Sequence, residues 1–209
     1  MSIEHLEVLV EEPSMELALR ELLPKLLGSV GFQIYVYQGK SDLFKQLPSR
    51  LRGYSSFIPS TWKILVVVDR DDDDCLKLKQ TLELVAEDAG LVTRSAALDN
   101  APYTVINRIV IEELEAWYFG DWTAARAAYP KLNPNIPSKA PYRYSDQIAG
   151  GTWEAFERVA RSSGYFKTGL RKMEAAQAIS QNFDIDRNSS PSFNVFCSAV
   201  KQLADAPEP

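Results

Sequence analysis

Three short stretches carry residues whose types and spacing can do chemistry. Glu11 and Glu12 follow the apolar run Leu6–Val10. Asp69, Arg70 and Asp71 follow Ile64–Val68 and open an acidic run to Asp74. Glu112, Glu113 and Glu115 follow the stretch 104–111. Converging carboxylates repel one another unless a cation neutralises them, and hard oxygen donors suit Mg2+ or Mn2+. Glu11, Asp69 and Asp71 are the first candidates for such a divalent-metal site, with Asp73 next in the series. An Asp-x-Asp step leaving a strand puts both side chains on one side if extended alternation continues. Glu112 and Glu115 are three apart and share a face on one helix; they can supply a second metal position or hold a ligand water. The bland alternative is that Asp71–Asp74 is a solvated turn capping the next helix, and that Glu113 decorates an acidic first turn. An EF-hand is disfavoured, because the sixth loop position is not Gly and the twelfth is Gln80.

The elements that must position these residues can be read from patterning. Leu6–Val10 and Ile64–Val68 are short apolar runs without strict alternation, as expected of strands buried on both faces of a parallel sheet. A helix is predicted over Met15–Leu27, with Ser14 as N-cap and Gly28 as stop. Further strands are predicted at Phe32–Tyr37, Leu91–Leu98 and 104–111. Helices are predicted from Ser41 through Leu51, with Pro48 as a kink or break, and over Cys75–Ala89. Alternating strand and helix imply an α/β fold with a mostly parallel sheet, flanked by helices and joined by right-handed crossovers. Ligands in such sheets bind beyond the carboxyl ends of strands, near a switch in strand order, and Glu11 and Asp69 both follow strands. Beyond residue 112 the reading is helix over Glu112–Tyr129, irregular chain over Pro130–Gly151, then helices at Trp153–Ser162, Leu170–Gln181 and Ser192–Leu203. One domain over residues 1–204 is expected, with a core of about 1–122 and a helical extension of about 123–204. Residues 205–209 read as a disordered tail, and Asn188–Pro191 as a second irregular segment.

Composition narrows the function classes. The chain has 209 residues, of which 45% are hydrophobic, 23 are basic and 28 acidic, a net charge of −5. That balance argues against broad coating of DNA, which runs on phosphate neutralisation by Lys and Arg. It leaves room for a nuclease that concentrates acid at its centre. Cys75 and Cys197 are distant and form no zinc knuckle. The lone His5, between Glu4 and Glu7, reads as a solvated surface residue. No signal peptide and no membrane span is expected, so the expected location is the cytoplasm.

The pieces Val10–Glu16, Val67–Asp73 and Glu115–Asp121 together resemble domain of unknown function family 4276, itself similar to the TOPRIM-like superfamily. The resemblance extends weakly through Tyr165, Lys167 and Ser192–Phe193. It implies a TOPRIM-like fold in which Glu11 is the Glu after the first strand and Asp69 and Asp71 are the Asp pair, together holding Mg2+ for phosphodiester chemistry. The family usually has Gly after that Glu; here Glu12 stands in its place and is itself a candidate extra ligand. By resemblance to nucleases of the overcoming-lysogenization-defect type, Glu115 is the additional acid and Lys167 the cation that meets transition-state charge. The basic stretch Arg158, Arg161, Lys167, Arg171 and Lys172, with Tyr165 and Phe166, can track a nucleic-acid backbone or form a solvated face over core aromatics.

The reading that follows is a metal-dependent nuclease or nuclease subunit acting on DNA or RNA, of the kind found as effector in phage-defence systems. The chain has no Gly-x-x-x-x-Gly-Lys-[Ser/Thr] loop, so any ATP dependence implies a separate ATPase partner. A homodimer is compatible with it. Three alternatives stand beside this reading: a catalytically inactive TOPRIM-like binding subunit; a haloacid-dehalogenase-type phosphatase with Asp69 as nucleophile, which leaves Glu11 unexplained; and an acidic edge without a site.

Overall fold

In the computed structural model, residues 3–98 and 101–204 are described. The predicted tail at 205–209 lies outside them. Four strands form one parallel sheet in the order β2-β1-β3-β4: β1 (His5–Val10), β2 (Gly31–Val36), β3 (Trp62–Asp69) and β4 (Val105–Val110). Helix α1 (Pro13–Leu27) joins β1 to β2, α2 (Lys40–Phe57) joins β2 to β3, and α3 (Cys75–Asp88) lies between β3 and β4. The chain steps from β1 to one side and then returns to β1's other side. The strand order therefore switches between β1 and β3, where the first two acidic stretches emerge.

The pleat divides the apolar side chains between two cores. Leu6, Val8, Val10, Leu65 and Val67 face a large core with α1 and the later helices. Leu9, Ile64, Val66 and Val68 face a smaller core with α2 and α3. Strands β1 and β3 are thus covered on both sides, which explains why Ile64–Val68 is an uninterrupted apolar run and Leu6–Val10 is broken only by Glu7. The later helices are α4 (Glu115–Gly120), α5 (Trp122–Ala128), α6 (Thr152–Ser162), α7 (Lys172–Ser180) and α8 (Pro191–Ala204). They pack back onto the sheet, α7 and α8 against α1 and α8 also against β4. Trp117, Tyr118, Phe156, Phe193 and Phe196, all fully buried, join the extension to the same core as α1.

Several elements depart from expectation for physical reasons. Stretch 91–98 is not a strand. Thr93 alone bridges to Val105, and its carbonyl accepts from Ala96 and Ala97, closing a turn. Helix α2 runs through Pro48 because Leu43, Leu47, Leu51 and Tyr54 keep one face buried. Glu12, not Ser14, is the residue before α1, whose first position is Pro13, pre-set for helix; the Ser14 hydroxyl donates to the Glu12 carboxylate. The helix expected over Glu112–Tyr129 begins only at Glu115 and divides at Asp121. That buried carboxylate accepts from the Ala124 amide and pairs with Arg187. His5 is not freely solvated: it bonds the buried Glu7 at 2.8 Å and lies over Trp62. Asn188–Pro191 is ordered, with Asn188 and Ser190 buried and the Asn188 amide donating to the Trp117 carbonyl.

Gly120 marks where the extension meets the core, since a Cβ there would lie 2.8 Å from the backbone nitrogen of Ser190 and also overlap Asn188. Gly120→Ala is expected to cost about 1–3 kcal/mol by overpacking, read as a lower urea midpoint with unchanged m-value.

Candidate metal centre

The acidic residues gather at the carboxyl edge of the sheet because backbone pairing delivers them there. The Asp69 amide donates to Glu11 Oε1 at 3.1 Å, tying the ends of β1 and β3 across the switch point. The Gly39 amide donates to the Glu11 carbonyl at 2.8 Å, bringing the start of α2 to the same edge. Beyond Asp69, the Arg70 amide donates to the Val110 carbonyl and the Asp71 amide to that of Glu112. Both Asp71 (φ 49°) and Glu112 (φ 61°) are left-handed, uncommon for residues other than Gly. The ends of β3 and β4 are locked together through this pair of turns.

Burial sets the electrostatics. Asp69 and Glu115 are almost wholly excluded from solvent, and Glu11 nearly so. Desolvation pushes Glu11 up to about 7, opposed by the Asp69 amide and the charge of Lys40. Desolvation, then repulsion from Glu11, Glu12 and Glu115, raises Asp69 well above the carboxylate range. Desolvation takes Glu115 to about 8 despite the nearby Lys172. Glu11 Oε2, Asp69 Oδ1 and both carboxylate oxygens of Glu115 are buried without a hydrogen-bond partner. Buried carboxylate oxygens lacking partners are costly in a native structure and call for a neutralising proton or cation.

Two lysines flank the cluster from opposite layers. Lys40 Nζ donates to Asp71 Oδ2 (2.7 Å), Asp73 Oδ2 (2.8 Å) and the Arg70 carbonyl (3.1 Å). Burial pulls its pKa down, but the bonds to Asp71 and Asp73 outweigh that and leave it raised. Lys172, at the start of α7, is likewise depressed by burial and raised overall by the charges of Glu115, Glu12, Glu113 and Asp69. Asp69 shares the face of Leu65 and Val67 and so meets Glu115 and Lys172. Glu11 falls in register with Leu9, toward α2 and Lys40.

The sequence candidates are therefore distributed as follows. Glu11, Asp69 and Glu115 lie within one electrostatic cluster, joined by Glu12. Asp71 contributes to the field on Glu11 and Asp69, but its carboxylate is turned to Lys40, as is that of Asp73. The left-handed turn at Asp71 ends the alternation that would have aligned it with Asp69. Glu112 is separated from Glu115 because it precedes α4, and it pairs with Arg70. Asp74 alone caps α3, accepting from the Leu76 and Lys77 amides. Glu113 serves a different helix than expected, accepting from Thr152 Oγ1 and the Trp153 amide at the start of α6. Lys167 is exposed. Phe166 is buried and Tyr165 packs edge-on against Tyr129, so these rings are core rather than open stacking surfaces. Among the described residues, no three acidic, His or Cys side chains are gathered closely enough to enclose an ion.

Sequence reasoning passed over Lys40, although it lies just beyond β2 and the rule that flagged Glu11 and Asp69 applies to it equally. It named Lys172 only within a basic stretch, and the packing of α7 on α1 is what selects that lysine. A cleft of about 590 Å3 opens beside the edge, lined by Arg70, Asp71, Glu112, the Gly150–Gly151 turn and Trp153 among others.

The fold and this edge together define a parallel α/β protein with a desolvated carboxylate cluster at its topological switch point. Residues 10–201 match the family described as Domain of unknown function (DUF4276), and the chain belongs to that family. Among solved structures it is similar to the C-terminal region of the Xanthomonas campestris pv. campestris OLD protein, at 16% identity over 98% of this chain and 95% of that one, with a TM-score of 0.48. No curated protein matches the sequence. Among the described residues no helix is long and apolar enough to cross a membrane.

The raised carboxylates have a consequence for stability. Glu11 and Glu115 hold protons in the folded chain that the unfolded chain releases near 4.5. In metal-free buffer stability is expected to fall as pH rises from about 4.5 to about 8, since the folded state binds more protons throughout that window. Glu115→Gln, which removes the buried charge, is expected to stabilise the protein at pH 8.5 by on the order of 1–3 kcal/mol and to change little at pH 4. Urea titrations at the two pH values check both the slope and its source.

Proposed function

We propose that this chain is a metal-dependent phosphodiester hydrolase of the TOPRIM nuclease kind, acting on nucleic acid as an enzyme or as the nuclease subunit of a larger assembly. The observation that carries the reading is the set of buried, unpartnered oxygens on Glu11, Asp69 and Glu115 at the switch point. These are hard donors of the type Mg2+ and Mn2+ take. Glu11 and Asp69, with Asp71 released from Lys40, are the residues that would hold the ion, and Glu115 would hold a second ion or a ligand water. A divalent ion held by these residues would supply Lewis-acid chemistry, activating water and offsetting charge on phosphate oxygens.

The chain's own groups supply the rest. Asp69 and Glu115 sit in a desolvated wall, where fixed charges act more strongly than in water. We assign the cation that meets developing phosphate charge to Lys172, whose ammonium lies 3.7 Å from Glu113 Oε1 and whose pKa is raised by the charges of Glu115, Glu12, Glu113 and Asp69; Lys167 is exposed. The cleft beside the edge is large enough to admit a nucleotide. Any coupling to ATP falls to a partner, and the reading places the protein in the cytoplasm. A second reading, a binding subunit that holds metal without cleaving, is favoured by one observation: Asp71 and Asp73 are engaged by Lys40.

The test is cleavage of plasmid, single-stranded DNA and RNA with Mg2+ or Mn2+. The wild type is expected to cleave at least one of them. The Asp69→Ala/Asp71→Ala double variant is expected to lose both cleavage and ion binding. Ion binding without cleavage by the isolated chain would favour the second reading, and equal, negligible binding by both proteins would remove the site. Lys172→Met is expected to lower the turnover rate by about 10²–10³-fold, with Lys167→Met within a few-fold of wild type. The reverse order would return the role to Lys167.

A further inference from the structure

We infer that Lys40 is a tethered counter-cation that parks Asp71 away from Glu11 and Asp69, and that it must release Asp71 before a divalent ion can be held. The inference rests on the metal-site reading above and deepens it by naming what controls access to that site.

An ammonium has three donors, and Lys40 meets three oxygens: Asp71 Oδ2, Asp73 Oδ2 and the Arg70 carbonyl, at 2.7–3.1 Å. Its side chain is 19% exposed while those of Asp71 and Asp73 are 49% and 51% exposed, so the ammonium is the covered partner and the two carboxylates lie at the surface. All three acceptors come from the Arg70–Asp73 segment just beyond β3, which the left-handed Asp71 folds around the ammonium. Meanwhile Glu11 Oε2 and Asp69 Oδ1, at the same edge, have no partner at all. One arrangement accounts for both facts: the lysine has taken the exposed carboxylate, and the two buried ones each keep an oxygen without a partner. It also accounts for why no three acidic side chains are gathered for an ion, although five of them share one field. Lys40 reaches the segment from α2, whose first turn is anchored by the Gly39 amide on the Glu11 carbonyl. The parking lysine and Glu11 are therefore fixed to one another through the backbone of Gly39.

Two consequences separate this positioning role from a merely structural one. Lys40 opposes ion binding twice, by repelling the ion and by holding one of its ligands. Removing it is therefore expected to tighten ion binding even as the ion-free protein loses a bonded pair. Asp73 on this account is an anchor for Lys40 rather than a metal ligand.

The experiment measures Mn2+ affinity by calorimetry or electron paramagnetic resonance for wild type, Lys40→Gln and Lys40→Arg, together with ion-free melting temperatures. Lys40→Gln is expected to bind Mn2+ about tenfold more tightly, the order expected from deleting one nearby like charge, and to melt lower without the ion. Lys40→Arg is expected to restore both values toward wild type. Unchanged or weaker binding by Lys40→Gln alongside lower stability would reduce Lys40 to a structural residue and overturn the inference. Mn2+ binding by Lys40→Gln where wild type shows none would support it in its strongest form. Absence of binding in all three proteins would overturn the inference and the metal site together. Binding in the expected order without any cleavage would leave the role of Lys40 standing and count against the hydrolase reading alone. As a metal-independent check, stability coupling between Lys40→Gln and Asp71→Asn in the ion-free protein is expected to be measurable, and additive effects would overturn the parked pair.

Discussion

Desolvation of carboxylates at the carboxyl edge of the sheet is the constraint on which the rest of this structure depends. Asp69 and Glu115 are placed where a charge is costly, and their oxygens have no protein donor. The packing that produces this also stabilises the fold: β1 and β3 are covered on both faces, and α4 inserts Glu115 beside Trp117 and Tyr118 into the same interior. The protein is left with protons, lysines or a metal ion as means of neutralisation, and the first two are evident in the raised carboxylates and in Lys40 and Lys172.

The two lysines reach the edge by different routes and meet different acids. Lys40 arrives from the α2 layer and binds the segment after β3 directly. Lys172 arrives from the extension, through α7 packed on α1, and acts on Glu115, Glu12 and Asp69 chiefly through its field. Residues 123–204 pack on the same core as the sheet. They supply one of the two lysines near these carboxylates, and the α6 start they contribute is capped by Glu113 from the β4 side.

Much of this was legible in the sequence and some was not, for reasons that differ by residue. Parallel strands at Leu6–Val10 and Ile64–Val68 follow from apolar runs, the first broken only by Glu7, and the placement of Glu11 and Asp69 beyond them follows from topology. The strand expected at 91–98 failed because β-branched content does not reveal that Thr93 will close a turn with its own carbonyl. The joint helix through Glu112 and Glu115 failed because two acids three apart look helical, whereas a left-handed Glu112 locked to Asp71 is a property of strand pairing. Of the four consecutive aspartates, only Asp74 caps a helix, while Asp71 and Asp73 answer to a lysine more than thirty residues away.

What the sequence determined by itself is local and periodic: the strands, most helices, the chain positions that leave a strand in acid, and the family to which the chain belongs. These follow from side-chain type and spacing, which act within a few residues. Tertiary structure alone decided which acids are desolvated, that Glu115 rather than Glu112 joins the field of Glu11 and Asp69, that Asp71 is held by Lys40, and that Lys172 is partly buried while Lys167 is exposed. Each of those depends on packing between segments distant in the chain, and the free energy of a charge is set by how much water that packing removes.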